Sequence, residues 1–515
     1  METVEIYAVC ISSIFAAFFV LAFRLYIWQF VEYVTLLLCK VLIYPRVLHR
    51  HSSLGPWTPA GIILQTAYIT ANVYCLEFWK LTAVKVGIRA ANLALINMMP
   101  LFLGTHLSFL ADRFAVSLKT FRMVHRSAGM MSFALVLFHV LVVVARGAGT
   151  FPLSVPENLH GLIGGSEFCS LLLLSIPIFR RPSYELFLRI HQALAVLVMY
   201  STIQHLISAS KFPWRFVYIF AGIVAALFIL QLLTAVFRNK AWNHDFSRAY
   251  ITRANDTVRI RITASRPVDV KAGQYINIWI PSISWYILQS HPFMVTNWVE
   301  GNQGTLELFI QPRRGFTRDL FSHGTTNARD IIPRLVLFSG PHGISIPVVE
   351  YETVLMVATD FGIAALLSYL RELIHGYQTC KTRTRRVHLV WQLQKLTTID
   401  IGVAAESLLN DALDEDTLDD SYILDISIYV NAPGIVKVPF GKRATIYPGT
   451  ADIEGILQDE VAGKYIQRLQ VVSEKRGKIL VMVSGTGKFR DELRALVRPH
   501  LDHGVRLQEL EFQTE

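Results

Sequence analysis

Four histidines carry the first chemical signal in this chain. His125 and His139 are 14 residues apart, and so are His191 and His205. Each pair lies on an apolar run, 124–145 or 187–207, long enough to cross a bilayer. Fourteen residues advance a helix by about 21 Å and return a side chain to within about 40° of the same face. Each helix therefore presents two imidazoles on one stripe at two depths. An ionisable residue inside a membrane span is functional by default. Two helices running in the same direction pair first with first and second with second: His125 with His191, His139 with His205. Two bis-imidazole sites stacked across a bilayer are what two b-type haems require. His106 and His160 have no partner at matching depth and are expected to be satisfied structural histidines.

Such a stripe needs a helical bundle to hold it. The 515 residues are 52% hydrophobic with mean hydropathy +0.40. The apolar excess over ordinary soluble chains falls in residues 1–240. A spanning helix needs about 20 apolar residues. Seven runs qualify: 7–29, 57–79, 91–111, 124–145, 160–179, 187–207 and 214–237. The stretch from Arg24 to Tyr44 either extends the first helix or lies along the interface. Lys and Arg are denser in the loops with Lys40, Arg46, Arg50, Arg113, Lys119, Arg122, Arg180, Arg181, Arg238 and Lys240 than in those with Lys80, Lys85, Arg89, Arg146 and Lys211. The richer side is expected to face the cytosol, which puts the N-terminus outside and the second half inside. Glu2 and Glu5 replace the basic start of a cleavable signal. The net charge of +10 sits beside apolar runs, so no nucleic-acid partner is expected. The partner is a lipid membrane. Cys10, Cys39, Cys75, Cys169 and Cys380 form no CxxC and are expected to be small buried hydrophobes.

The histidines, with Arg180-Arg181-Pro182-Ser183-Tyr184-Glu185-Leu186-Phe187 just before the second pair, resemble the fungal ferric reductase family, of the superfamily shared with the NADPH oxidases. The resemblance runs from about residue 80 to the C-terminus. Equal spacing on both helices is similar to the reductases; the oxidases typically have one residue fewer on the second helix. The resemblance implies a multi-domain membrane protein. An all-α transmembrane di-haem bundle of about six or seven helices would occupy 1–240. A β-barrel FAD-binding domain would occupy 241–347, and a doubly wound α/β NADPH-binding domain, ferredoxin-reductase-like, 348–515. It implies electrons from cytosolic NADPH passing through FAD and the haems to ferric or cupric chelates or siderophores, most simply at the plasma membrane. An oxidase making superoxide and a degenerate relative that keeps its haems without catalysis are the alternatives.

The second half carries matching motifs. Thr257–Thr263 alternates and Gln274–Ile280 is an apolar strand, as in a small barrel. His291-Pro292-Phe293-Met294, then Thr296, is similar to the family's flavin motif, with Met294 where a hydroxyl is expected and Thr296 a candidate substitute. Arg314-Gly315-Phe316-Thr317 opens a helix, where amides and a hydroxyl suit a pyrophosphate. Gly340 and Gly343 bracket a turn like the one ending the family's barrel. Ala358-Thr359-Asp360-Phe361-Gly362-Ile363 links a strand to a helix, the start of a dinucleotide fold, with Asp360 where the family has glycine. Ser484-Gly485-Thr486-Gly487 resembles the family's terminal Cys-Gly-Pro segment. Gly449-Thr450-Ala451-Asp452 stands where the family has Gly-Arg-Pro-Asp; Lys442 or Arg443 could compensate. Residues 411–420 read as an acidic solvated loop, and Phe512 as a flavin-stacking or core aromatic.

Overall fold

The computed structural model describes residues 23–24, 26–48, 50, 55–146, 151–180, 182–209, 214–239, 245–254, 256–283, 291–393, 409–410, 412–414, 416, 422–431, 437–440, 443–466 and 476–512. Most of the run 7–29 lies outside them, as do Cys10, Arg181, Lys211, Lys240 and Lys442.

The first half is helical. Its elements are α1 (Tyr26–Ile43), α2 (Pro59–Leu76), α3 (Ala83–Met98), α4 (Leu107–Arg113), α5 (Leu118–Arg146), α6 (Pro156–Leu174), α7 (Pro177–Arg180), α8 (Tyr184–Ala209) and α9 (Arg215–Asn239). Among the described residues, four stretches are long and apolar enough to cross a membrane: Tyr26–Ile43, Leu118–Arg146, Tyr184–Ser208 and Val217–Asn239. α2 begins at Pro59, with the Thr58 hydroxyl accepting from the Gly61 amide, so an orphan donor of the first turn is met.

The run 91–111 is not the single helix expected. α3 stops at Met98, a 3-10 segment covers Met99–His106, and α4 follows. Pro100 has no amide to donate and its ring crowds the preceding turn. The run 160–179 is likewise divided, α6 ending at Leu174 and α7 restarting at Pro177. The Arg24–Tyr44 stretch is resolved as α1, a helix whose last five residues, Cys39–Ile43, wind as a π-helix. Its far end leaves the bundle: Leu36, Cys39 and Tyr44 pack into a core of the second half.

The second half begins with β1 (Arg248–Ala254), β2 (Thr257–Asp269), β3 (Tyr275–Trp279), β4 (His291–Met294), β5 (Asn302–Ile310), α10 (Phe316–His323), β6 (Arg334–Leu335) and β7 (Leu337–His342). These strands form two antiparallel sheets, ordered β5-β2-β1-β6 and β4-β3-β7. One core of Ile260, Ile262, Ile276, Ile278 and Leu308 fills the space between them. The sheets meet where Thr296 N donates to Glu307 O (2.9 Å) and Val336 N to Ser247 O (3.1 Å).

Next come β8 (Thr353–Thr359), α11 (Leu367–Gln378), β9 (Arg386–Leu393), β10 (Leu424–Val430), β11 (Val438–Phe440), β12 (Ala444–Pro448), α12 (Ile453–Ala462), β13 (Ile479–Ser484), α13 (Gly487–Val497) and β14 (Val505–Leu510). They make a seven-stranded sheet ordered β11-β12-β10-β9-β8-β13-β14, parallel except at β11. Every residue of β8 is buried, as a strand covered on both faces must be. Val354, Met356 and Ala358 face one core while Leu355 and Val357 face the other. Strand order reverses beside β8, with β9 on one side and β13 on the other. Doubly wound sheets bind ligands outside the carboxyl ends of strands at such a reversal.

Candidate functional site

α5 carries His125 and His139, and α8 carries His191 and His205, so the four expected ligands form two facing tiers. The His125 and His191 ring centres are 6.5 Å apart. Metal–imidazole bonds are about 2.0–2.1 Å, which with about 1 Å from nitrogen to ring centre gives a separation of about 6 Å. One metal atom therefore fits between these rings. Both Nδ1 atoms are buried without hydrogen-bond partners, a state native interiors seldom leave. The Phe187 ring packs 5.4 Å from His191.

The second tier differs. His139 Nδ1 lies 2.9 Å from Gly87 O, and His205 Nδ1 lies 2.8 Å from Glu157 O. With the proton on Nδ1, each ring donates to a carbonyl and keeps the Nε2 lone pair for a metal. Close helix approach makes this geometry: a Cβ on Gly161 would lie 3.1 Å from His205 Nδ1, and one on Gly87 2.8 Å from Val142. Among the described residues no group of three or more His, Cys, Asp or Glu could hold a bare metal ion. Two imidazoles per tier suit a group that brings its other ligands, as haem does. His160 is satisfied as expected, by Pro156 O at 2.8 Å; the His106 side chain is outside the described residues.

The flavin-motif residues converge. The His291 ring stacks on Phe316, with centres 4.2 Å apart and planes 8° apart, and Phe293 lies 6.4 Å from Phe316. Burial pushes the His291 pKa down to about 4, so the ring is neutral at neutral pH. Pro292 and Met294 share β4 with them, and Met294 is buried against the nucleotide domain. Thr296 is a correction: its hydroxyl donates to Glu307 O at 3.0 Å, so it does not replace the hydroxyl missing at 294. Gly315, at φ 72°, leads into α10. The Thr317 hydroxyl accepts from Arg313 N at 2.7 Å. Phe316 N donates to Glu185 Oε1 at 2.7 Å, and Arg314 Nη1 to Pro182 O at 3.2 Å. A carboxylate oxygen thus stands where a pyrophosphate oxygen is expected, so this helix end accepts anionic oxygen. The Gly340–Gly343 turn meets the membrane half as well: Asp112 takes the His342 ring through Nδ1 and the Gly343 amide at 2.8 Å.

The nucleotide-motif residues also converge. A Cβ on Gly362 would lie 2.2 Å from Ser484 O, and one on Gly485 2.2 Å from Thr359 Oγ1. The Ala358–Ile363 and Ser484–Gly487 turns therefore abut at the strand-order reversal. Asp360 sits at φ 47°, a left-handed conformation in which glycine costs least. Thr486 caps α13, its side chain accepting from Phe489 N. Arg443 is a second correction: it pairs with Asp416 at 2.7 Å and is not available to a nucleotide. Asp416, 1% exposed, likewise departs from the solvated loop expected over 411–420. Phe512 lines a cavity of about 140 Å³ with Lys119, Arg122, Arg313, Gly485 and Arg490. Cys75, Cys169 and Cys380 are exposed rather than buried.

Sequence reasoning did not single out Gly87, Glu157 or Asp112. The first two act through backbone carbonyls, which leave no mark on a side-chain pattern. Asp112 was an acid among basic loop residues, a signal that could have been read.

Residues 90–202 match a family model described as the ferric reductase like transmembrane component, and residues 243–346 match an FAD-binding domain. The first match holds His125, His139 and His191; His205 falls just past it. The chain is 27% identical to ferric/cupric reductase transmembrane component 2 of Saccharomyces cerevisiae over 53% of this chain and 37% of that one. It is 24% identical to ferric reductase transmembrane component 3 of the same yeast, over 77% and 56%. A probable cell surface ferric reductase of Aspergillus oryzae is 25% identical over 61% and 44%. The chain thus spans about half the length of these relatives. With histidine tiers inside the first matched region and stacked flavin-motif residues inside the second, the chain is similar to ferric reductases over the regions that carry its candidate sites.

Proposed function

We propose that the chain moves electrons from cytosolic NADPH, through FAD and two b-type haems, to ferric or cupric chelates, siderophore complexes included, on the far side of the plasma membrane. His125 and His191 would hold the inner haem, and His139 and His205 the outer one. The Arg314–Thr317 helix start and the stacked His291–Phe316 pair would hold FAD, with Phe293, Met294, Gly340 and Gly343 around them. Ala358, Thr359, Gly362, Ile363 and the Ser484–Gly487 turn would hold NADPH. When bound, FAD takes a hydride as an electron pair and releases single electrons that haem iron can accept.

The chain's own work is placement. α5 and α8 set the tiers about 21 Å apart along the helix axis. Gly87 O and Glu157 O fix the outer rings in one orientation. Neutral His291 adds no charge beside the flavin position. No side chain is asked to act as nucleophile or general acid. The Lys and Arg bias of the loops supports a cytosolic second half. The division 1–240, 241–347 and 348–515 follows the change from helices to paired sheets to the doubly wound sheet.

The observation that carries this reading is the pair of facing imidazole tiers. Haem stoichiometry tests it. Purified wild type should hold two haems per chain, and each single substitution of His125, His139, His191 or His205 by Ala should hold about one. A ratio unmoved by all four substitutions would sink the proposal.

A further inference from the structure

The Ser484–Gly487 turn receives a cation from the other half of the molecule. Arg50, in the segment after α1, lays its guanidinium on Gly487: a Cβ there would lie 2.4 Å from Cζ and 2.6 Å from Nη1. Arg50 Nε donates to Asp491 Oδ2 at 3.0 Å, and Arg46 Nη2 donates to Asp491 Oδ1 at 3.1 Å. Two guanidinium groups thus share the Asp491 carboxylate, and Arg46 also reaches Glu509 Oε1 at 4.0 Å. Both stand beside the first turns of α13, where unpaired amides already make the helix end positive. The other acids nearby are engaged, Glu509 with Arg494 and Glu511 with Arg490. The chain leaves this spot under-neutralised.

A second observation points to a ligand here. Ser484, at the carboxyl end of β13, is fully buried, and its Oγ has no hydrogen-bond partner. Buried hydroxyls are normally satisfied. This turn abuts the Gly362 turn at the strand-order reversal, the place where a doubly wound sheet meets its ligand. A phosphate at the start of α13 would meet its first amides and the Arg50 guanidinium that lies on Gly487.

We infer that Arg50 binds the pyrophosphate of the pyridine dinucleotide, so that a residue lying between α1 and α2 completes the nucleotide site. The inference rests on the proposal that the doubly wound domain binds NADPH. It makes the site dependent on the membrane half staying docked. Asp491 holds the guanidinium in place and competes with the ligand for it.

The test is calorimetric titration of the purified full-length protein with NADP⁺ and with NAD⁺. Arg50→Gln should weaken both by the same factor, about ten-fold, as expected for one charge-assisted hydrogen bond on a partly exposed group. Asp491→Asn leaves the guanidinium and removes its competitor, so affinity should hold or improve. Equal weakening by Asp491→Asn would make the pair a docking contact and overturn the inference. A loss confined to NADP⁺ would place Arg50 on the 2′-phosphate and overturn the pyrophosphate assignment. Unchanged affinity in Arg50→Gln, with normal wild-type binding, would overturn the inference alone. Wild type that binds neither nucleotide would bring down the NADPH reading and the inference with it.

Discussion

The two histidine tiers are built from the same residue type on the same two helices, yet they are held differently. In the outer tier, backbone carbonyls of α3 and α6 fix both rings through Nδ1. In the inner tier, Nδ1 of both rings is buried without a partner, and Phe187 packs beside His191. The backbone alone orients the outer rings; no hydrogen bond to Nδ1 orients the inner ones. The inner tier also lies nearer the soluble half, since α8 opens with Glu185 on the Phe316 amide. One tier fixed by backbone acceptors and one left adjustable, nearer a domain that must dock, is what the difference teaches.

The sharpest way to break this comparison is to remove one tier at a time. With His125→Ala and His191→Ala combined, the remaining outer haem should be reduced by dithionite but not by NADPH. With His139→Ala and His205→Ala combined, the inner haem should still be reduced by NADPH, while ferric-chelate reduction falls to background. Identical behaviour of the two double variants in anaerobic spectra would erase the distinction.

A smaller perturbation should separate the tiers without deleting a ligand. Gly161→Ala drives a Cβ to 3.1 Å from the His205 ring, an overpacking that costs about 1–3 kcal/mol. The outer haem's spectrum should shift and the inner one's should not; thermal melts followed at each haem band give the readout. Phe187→Ala is the reciprocal change, worth about 1 kcal/mol for a lost ring contact, and should move only the inner signal.

The smallest effect is a pH slope at the His291–Phe316 stack. His291 has its pKa lowered to about 4 by burial, against an ordinary value of about 6.5. Between these values the unfolded chain binds a proton that the folded chain does not. Stability should therefore fall as pH drops from about 6.5 towards 4 and level off below. His291→Phe should flatten that slope in chemical denaturation measured from pH 4 to 7. An unchanged slope would remove His291 from the account.

The tiers were legible in the sequence because an imidazole inside an apolar run stands out and 14 residues nearly complete four turns. β8 and β13 were legible as continuous apolar strands, since a sheet covered on both faces has no polar side. The break at Met99–His106 was not, because a proline such as Pro100 is tolerated within many apolar runs. Nor were the acceptors at Gly87 and Glu157, which are peptide oxygens available at any residue. The Arg443–Asp416 pair joins residues far apart in sequence, so local composition read a buried acid as a solvated one.

The central claim is that NADPH in the soluble half feeds both tiers in turn. Purified protein with FAD and NADPH under nitrogen, followed at the haem bands before and after a ferric chelate is added, tests it most directly. The account predicts reduction of both haems, then prompt reoxidation by the chelate. Haems that stay oxidised with NADPH and with NADH, yet are reduced by dithionite, would contradict it.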